Sequence, residues 1–292
     1  MREKIKATGS IFIILLLLPY VAVMLVGGQT GKHAYGQESA KEEEASGTEE
    51  LEEWVLEILP AQMPVTYEKE ALKAQAVLIR SNLAYHLQQE QISPQKLDAK
   101  KLEEWELPHY SILELEEIWG EALFEEYYGK IIQAVQETRG QVLRWEGRYV
   151  DLPYHAVSAG RTRDGSLLGD AYPYLQVAEC PGDLEAENFI QLVQLDLSQT
   201  PEITAVDDSG YVTEIRLGES LMAGEEFRIR ENLPSSCFTL QQQEGAWLAV
   251  TKGLGHGFGL SMHQAQLKAC QGKTYLEILE YFYEGMECIS FS

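Results

Sequence analysis

The sequence is short of positive charge. Its 23 Lys and Arg face 46 Asp and Glu, a formal net charge of −23, whereas nucleic acids and anionic membrane surfaces are held by clustered cations. No nucleic-acid partner is expected. Cysteine is scarce as well: Cys180, Cys237, Cys270 and Cys288 make four, none in a CxxC pair, which removes the usual spacing of a structural zinc site. One or two disulfides are open to an exported chain, but a core of this size does not require them, and buried free thiols are the expected state. His33, His86, His109, His155, His256 and His263 show no HExxH or HxH spacing, so a metal site would have to be assembled from distant segments. No metal and no cofactor are expected. Internal repeats are absent, and only one apolar run is long.

That run, residues 11–26 (IFIILLLLPYVAVMLV), follows Arg2, Lys4 and Lys6. With the small residues on each side it reaches roughly the ~20 needed to span a bilayer, and its basic flank is expected to stay in the cytoplasm. A cleaved secretory signal is the competing reading. No small-x-small site follows Val26 and the run exceeds a usual signal core, which favours an uncleaved, single-pass anchor in the cell membrane with the C-terminal domain extracytoplasmic. On this reading residues 1–30 are the anchor, 31–50 an acidic linker and 51–290 the folded domain. Residues 37–50 (QESAKEEEASGTEE) hold almost nothing apolar, so the linker is expected to be extended. The acidic stretches 42–53 and 103–126 read as a solvated tether and a solvated helix face.

Leu51, Trp54, Val55, Ile58 and Leu59 recur at the spacing of an amphipathic helix, which Pro60 should stop. A second helix, capped by Thr66, carries Leu72, Ala76, Ile79, Leu83 and Leu87 along one face. Ala61, Gln62 and Met63 are left on a short loop between the two, a good place to present one side chain from a rigid scaffold. From Gln141 the period becomes that of strands. A hairpin over 142–150 turns at Glu146-Gly147, alternation follows at Val193, Leu195 and Leu197 and again at Tyr211, Thr213, Ile215 and Leu217, and a further hairpin centres on Glu244-Gly245. Helices return over 261–271 and 274–283. The expected fold class is α+β: an N-terminal helical pair, a β-rich middle of hairpins and C-terminal helices, behind a single N-terminal transmembrane helix.

Two polar constellations stand out. Lys73 and Arg80 share a helix face with Ala76 and Val77 between them. They form either two cations flanking a groove for carboxylate or sugar hydroxyls, or a solvated face paired to nearby glutamates. The run Gly253-Leu254-Gly255-His256-Gly257-Phe258-Gly259-Leu260-Ser261 sets glycine at every second position and ends at a helix cap. It reads either as backbone approaching a ligand, with free N–H groups for an anion, or as a crowded turn around a buried histidine.

Four stretches carry a resemblance: residues 51–85 (LEEWVLEILPAQMPVTYEKEALKAQAVLIRSNLAY), 134–162 (AVQETRGQVLRWEGRYVDLPYHAVSAGRT), 211–240 (YVTEIRLGESLMAGEEFRIRENLPSSCFTL) and 253–285 (GLGHGFGLSMHQAQLKACQGKTYLEILEYFYEG). In order, they resemble the stage II sporulation protein D (amidase-enhancer) family. Its pattern opens on Glu-Met-Pro…Glu-Ala-Leu-Lys-Ala-Gln-Ala-Val…Arg-Thr-Tyr, continues through His-Ser-x-Ser-Gly-Gly-Arg-Thr and Gly-Trp-Gly-His-Gly-x-Gly-x-Ser-Gln-Tyr-Gly-Ala, and closes on Tyr-x-x-Ile-Leu-x-x-Tyr-Tyr-x-Gly. The likeness covers nearly all the folded part. It implies a membrane-anchored lytic transglycosylase that cuts peptidoglycan glycan strands stripped of stem peptides, leaving anhydro-muramic ends, in concert with a cell-wall amidase during engulfment of the forespore. It implies a single general acid and base, the glutamate of Glu-Met-Pro, a role that asks for a carboxyl with a raised pKa in a groove. Attack by an intramolecular hydroxyl removes the need for a second carboxylate holding water. By the same resemblance, Glu70, Lys73, Arg80, His155, Ser158, Arg161, Thr162, His256 and Ser261 are implied to bind substrate.

The sequence departs at the decisive place. The motif reads Gln62-Met63-Pro64, and an amide hydrogen-bonds a sugar but exchanges no proton near neutral pH. Ser81-Asn82 stand for Thr-Tyr, Ser158-Ala159-Gly160 for Ser-Gly-Gly, Met262-His263-Gln264 for Gln-Tyr-Gly, and Leu254 for the tryptophan. Some family members bind zinc through cysteines around the His-Ser loop; none lies between Tyr154 and Gly169, and no metal is carried over. Three readings follow: a glycan-binding, catalytically impaired member; an active transglycosylase that uses another carboxylate, from Glu57, Glu68, Glu70 or Asp164; and a non-catalytic partner of a cell-wall amidase. On the resemblance, Gln62, Lys73, Arg80, His155, Arg161 and His256 are expected to converge in one cleft.

Overall fold

The computed structural model describes residues 37–243 and 245–291. The anchor run 11–26 and its basic flank lie outside the described residues, and no described helix is long and apolar enough to cross a membrane. The compact unit spans Ala45–Ser292.

Helix α1 covers Gln37–Gln62, so the expected extended linker over 37–50 is helical instead. Glu, Ala, Gln and Lys are strong helix formers, and a helix propagates outward from packed turns without needing an apolar face there. Nor does Pro60 end it. Placed in the last turn, the proline forfeits only the bond to the Leu56 carbonyl, and the Met63 N–H still reaches the Leu59 carbonyl at 3.0 Å. Helix α2 (Lys69–Glu90) begins after Glu68, not at Thr66, because Pro64 opens a turn closed by the Tyr67 N–H on the Pro64 carbonyl. The expected stripe of α2 packs on Leu51, Val55, Ile58 and Leu59 of α1. Each of these leucines and isoleucines, fully enclosed or nearly so, contributes about 1.5–3 kcal/mol. Helices α3 (Ala99–Glu104), α4 (Ile112–Trp119) and α5 (Glu121–Glu137) follow, and Ile131, Ala134 and Val135 of α5 close this core.

Strand β1 (Gln141–Arg144) takes its partner from the far end of the domain. It pairs antiparallel with β10 (Glu287–Ser290), Val142 opposite Ile289, so the hairpin expected over 142–150 is corrected. Its turn does exist: Glu146 and Gly147 have φ of +49° and +74°, but it closes only the Trp145–Arg148 bridge. Two three-stranded sheets make the middle. One is β3 (Ile190–Leu195), β8 (Ala246–Lys252) and β7 (Phe238–Gln243) in that spatial order; the other is β4 (Pro201–Val206), β5 (Val212–Leu217) and β6 (Ser220–Ala223). With α6 (Gly224–Arg230) they enclose a second core around Val212, Ile215, Phe227 and Phe238. Strands β2 (Tyr154–His155) and β9 (Leu260–Ser261) form a short parallel pair with His155 opposite Ser261.

Helices α7 (Met262–Cys270) and α8 (Tyr275–Phe282) then return. Ser261 caps α7 as expected, accepting from the Gln264 N–H, and Thr274 and Glu277 form a reciprocal capping box at the start of α8. Helices on both sides of a strand-rich middle give the expected α+β class. All four cysteines are free, but Cys270 and Cys288 are exposed while only Cys180 and Cys237 are buried.

Candidate functional site

Gln62 is the last residue of α1, not a loop residue. Its Oε1 accepts from Nε2 of Gln75 on α2 at 2.9 Å, and the Tyr154 hydroxyl of β2 lies beside the same amide. The Gln62 Nε2 and Gln75 Oε1 atoms have no partner among the described residues. None of the carboxylates weighed as a substitute acid is bonded to Gln62. Glu57 lies near Glu53, Glu114 and His109, its pKa raised by burial. Glu68 precedes α2, its N–H donating to Gln266 Oε1. Glu70 accepts from Lys73 Nζ and from the Tyr275 N–H, both at 2.8 Å. Asp164 accepts the Ser166 N–H within its own turn.

Beyond Tyr154, β2 turns His155 inward. The ring is 3% exposed, and Nδ1 donates to the Phe258 carbonyl at 3.0 Å, which leaves Nε2 unprotonated, buried and unpaired. Burial first, then the neighbouring His256, hold its pKa down to about 3. The His256 ring stands 5.7 Å away; its Nδ1 accepts the Phe258 N–H at 3.1 Å, and burial lowers its pKa too. The glycine run around it is a crowded turn rather than a ligand cradle. A Cβ at Gly259 would sit 1.7 Å from the Pro153 carbonyl and one at Gly257 2.4 Å from the Tyr211 ring, at φ of +67° and +84°.

Asp183, on the turn Pro181–Glu185, is the fully enclosed hub of this region. It accepts the Ser158 N–H at 2.8 Å, the Ser261 hydroxyl at 2.7 Å and His263 Nδ1 at 3.2 Å. Ser158 and Ser261 therefore serve a buried carboxylate. No motif pointed to Asp183, and Pro181-Gly182 beside it signals only a turn. Thr162 is buried, its hydroxyl accepting the Ala178 N–H, while Arg161 is half-exposed, 3.6 Å from Glu179. The arginine packed into this region is Arg163, which sequence reasoning passed over. It pairs with Asp207 at 2.6 Å, donates to the His256 carbonyl and stacks on Phe258.

Glu70, Lys73 and Arg80 stand apart from this group. Lys73 and Gln75 point ~200° apart around α2, so the helix separates them from Gln62. Lys73 bridges Glu70 at 2.8 Å and Glu137 at 3.2 Å and lies over the Tyr275 ring. Arg80 is fully enclosed; Nε and Nη2 grip Glu52 at 2.8 and 2.6 Å, and Nη1 donates to the Gln141 carbonyl. The single cleft expected for six residues is thereby corrected. The seven-residue spacing does put Lys73 and Arg80 on one face, but that face is turned into the protein.

Residues 39–145 match the stage II sporulation protein family. Stage II sporulation protein D of Bacillus amyloliquefaciens is 27% identical over 253 residues, 81% of this chain and 73% of the relative. That of Bacillus subtilis (strain 168) is 27% identical over 257 residues, 81% and 74% of the two chains. Over most of its length the chain is thus similar to stage II sporulation protein D. An uncharacterised protein of Brachyspira hyodysenteriae is 26% identical over 267 residues, covering 83% of this chain and 67% of its own. The family match runs from α1 to the turn after β1 and so includes Gln62, Gln75 and the Arg80–Glu52 pair. Asp183 and the glycine turn lie outside it.

Proposed function

We propose that this stage II sporulation protein D domain binds peptide-free peptidoglycan glycan strands around Gln62 and is impaired as a lytic transglycosylase. The observation that carries the reading is the amide itself: Gln62 is bonded to Gln75 and flanked by Tyr154, with no carboxylate on it. Amides and hydroxyls recognise sugar hydroxyls, but none of them delivers a proton to a leaving glycosidic oxygen near neutral pH. The nearby histidines do not replace the acid, since His155 stays neutral down to about pH 3 and His256 is also shifted down. Absence of a positioned general acid costs ~10²–10⁴ in rate. We further propose that the domain is extracytoplasmic, tethered by residues 11–26, and that a cell-wall amidase is its partner.

The test is Gln62→Glu, nearly isosteric and so mild on packing. Wild-type protein should retain peptide-free glycan in a pull-down and release little anhydro-muramic product, and the substitution should raise that release ~10²-fold or more. Strong wild-type activity that Gln62→Glu leaves unchanged would overturn the reading and assign proton transfer to another carboxylate.

A further inference from the structure

A groove of about 540 Å³ lies beside the turn that follows β1, and Tyr85, Trp145, Tyr149, Asp151, Tyr172 and Tyr174 are among its walls. The half-buried Trp145 and Tyr172 rings line the groove against the buried Tyr174 ring, whose centre lies 5.9 and 6.0 Å from theirs, each pair inclined at 46°. Rings laid side by side make a platform; a cage for a cation would need rings facing one another around a point. Tyr149 contributes little more than a wall, because Arg144 covers its ring at 4.4 Å and bonds its hydroxyl.

The Tyr174 hydroxyl donates to the Asp151 carbonyl at 2.7 Å, but three polar groups of the groove are unpaired. The Asp151 carboxyl is half-buried, and neither it nor the Tyr85 and Tyr172 hydroxyls finds a hydrogen-bond partner among the described residues. Burial raises the Asp151 pKa, opposed only by His86. An acceptor half-removed from water without a donor is a standing cost that a ligand hydroxyl offsets. Glu146 and Asp170 on the rim, against Arg148 alone, make the groove unfavourable for phosphates and other polyanions. What remains is a flat, neutral ring with apolar faces and hydroxyl edges.

We propose that this groove is a saccharide-binding subsite, with pyranose rings stacked on Trp145 and Tyr172 and their hydroxyls bonded to Asp151 and Tyr85. The groove's own chemistry asks for an uncharged sugar; naming that sugar an N-acetylhexosamine oligomer rests on the glycan reading above. Asp151 and Tyr154 are three residues apart, at most ~11 Å of chain, which brings the groove and Gln62 within reach of one oligosaccharide.

The full-length chain in detergent is titrated calorimetrically with the tetramer of N-acetylglucosamine. Tyr172→Ala and Asp151→Ala should each weaken binding about tenfold or more at an unchanged unfolding midpoint. Trp145→Phe, which keeps an aromatic face, should bind nearly as wild type. If either alanine variant folds poorly, Tyr85→Phe, which removes one hydroxyl and no ring, should still weaken binding severalfold. Wild-type affinity in both alanine variants, or no binding by wild-type protein, overturns the subsite, as does displacement of the sugar by tetramethylammonium. In each case, retention of peptide-free glycan in the pull-down would leave the reading of the Gln62 site standing.

Discussion

Arg80 illustrates how a residue matched by a family motif is tested for the role it plays. Its guanidinium is fully enclosed and bound by both oxygens of Glu52, with a further bond to the Gln141 carbonyl, while Glu52 also accepts the Gly140 N–H at 2.9 Å. Arg80→Met removes one member of this set and leaves the Glu52 carboxylate nearly buried with a single donor. Breaking a buried pair in this way costs about 3–5 kcal/mol. At about 2–4 °C per kcal/mol for a domain of this size, the thermal midpoint should fall by roughly 6–20 °C. The double variant Glu52→Leu with Arg80→Met removes both charges together, and should recover most of that loss, because the penalty lies in the unpaired partner rather than in the missing bond. Thermal and urea unfolding measure all three proteins. A single variant within about 1 kcal/mol of wild type that has lost glycan retention would refute the assignment, since it would mean that Arg80 meets ligand and not Glu52.

Three further predictions follow from burial and topology. His155 is held neutral in the fold, so the unfolded chain binds more protons between pH 6.5 and about 3 and stability falls as pH drops through that window. From pH 6.5 to 4.5 the histidine accounts for about 2–3 kcal/mol of the loss, and His155→Asn, less stable at pH 7, should show a correspondingly flatter urea midpoint against pH. Gly259→Ala places a Cβ against the Pro153 carbonyl at positive φ and should cost roughly 3 kcal/mol or more, where Gly147→Ala, with open space around it, should cost about 1 kcal/mol. Protease added to intact protoplasts should remove the domain and spare a small anchor; a domain protected until lysis refutes the extracytoplasmic placement.

What was legible in the sequence was local. The apolar stripes of α1 and α2, the cap at Ser261 and the turn at Glu146-Gly147 each depend on residues within one or two turns of one another. The β1–β10 pairing joins the middle of the chain to its end, and no local period announces it. Helix α1 runs past its local signals at both ends because its N-terminal turns need no apolar face and its proline falls where few hydrogen bonds remain to be broken. The site was partly legible. The histidines and serines of β2, β9 and the glycine turn were found from their motif, but Asp183, which ties Ser158, Ser261 and His263 together, follows a turn sequence with no chemistry of its own.

The split around α2 bears on what a motif match can say about activity. Glu70, Lys73 and Arg80 match the family pattern, and all three spend their polar atoms inside the protein, joining α2 to α1, α5, β1 and α8. The alternating glycines match too, and at Gly257 and Gly259 a side chain is excluded by protein rather than by ligand. Such residues are required for the fold whether or not a bond is ever cut, so their presence in this chain reports architecture. Gln62 is different in kind. Replacing its amide by a carboxyl changes little in volume, yet it supplies a titratable proton that the amide does not have. A chain can therefore keep every structural element of the motif and lose the acid without any sign of it in the fold, which is why the Gln62→Glu comparison carries more weight on catalysis than the matches around it.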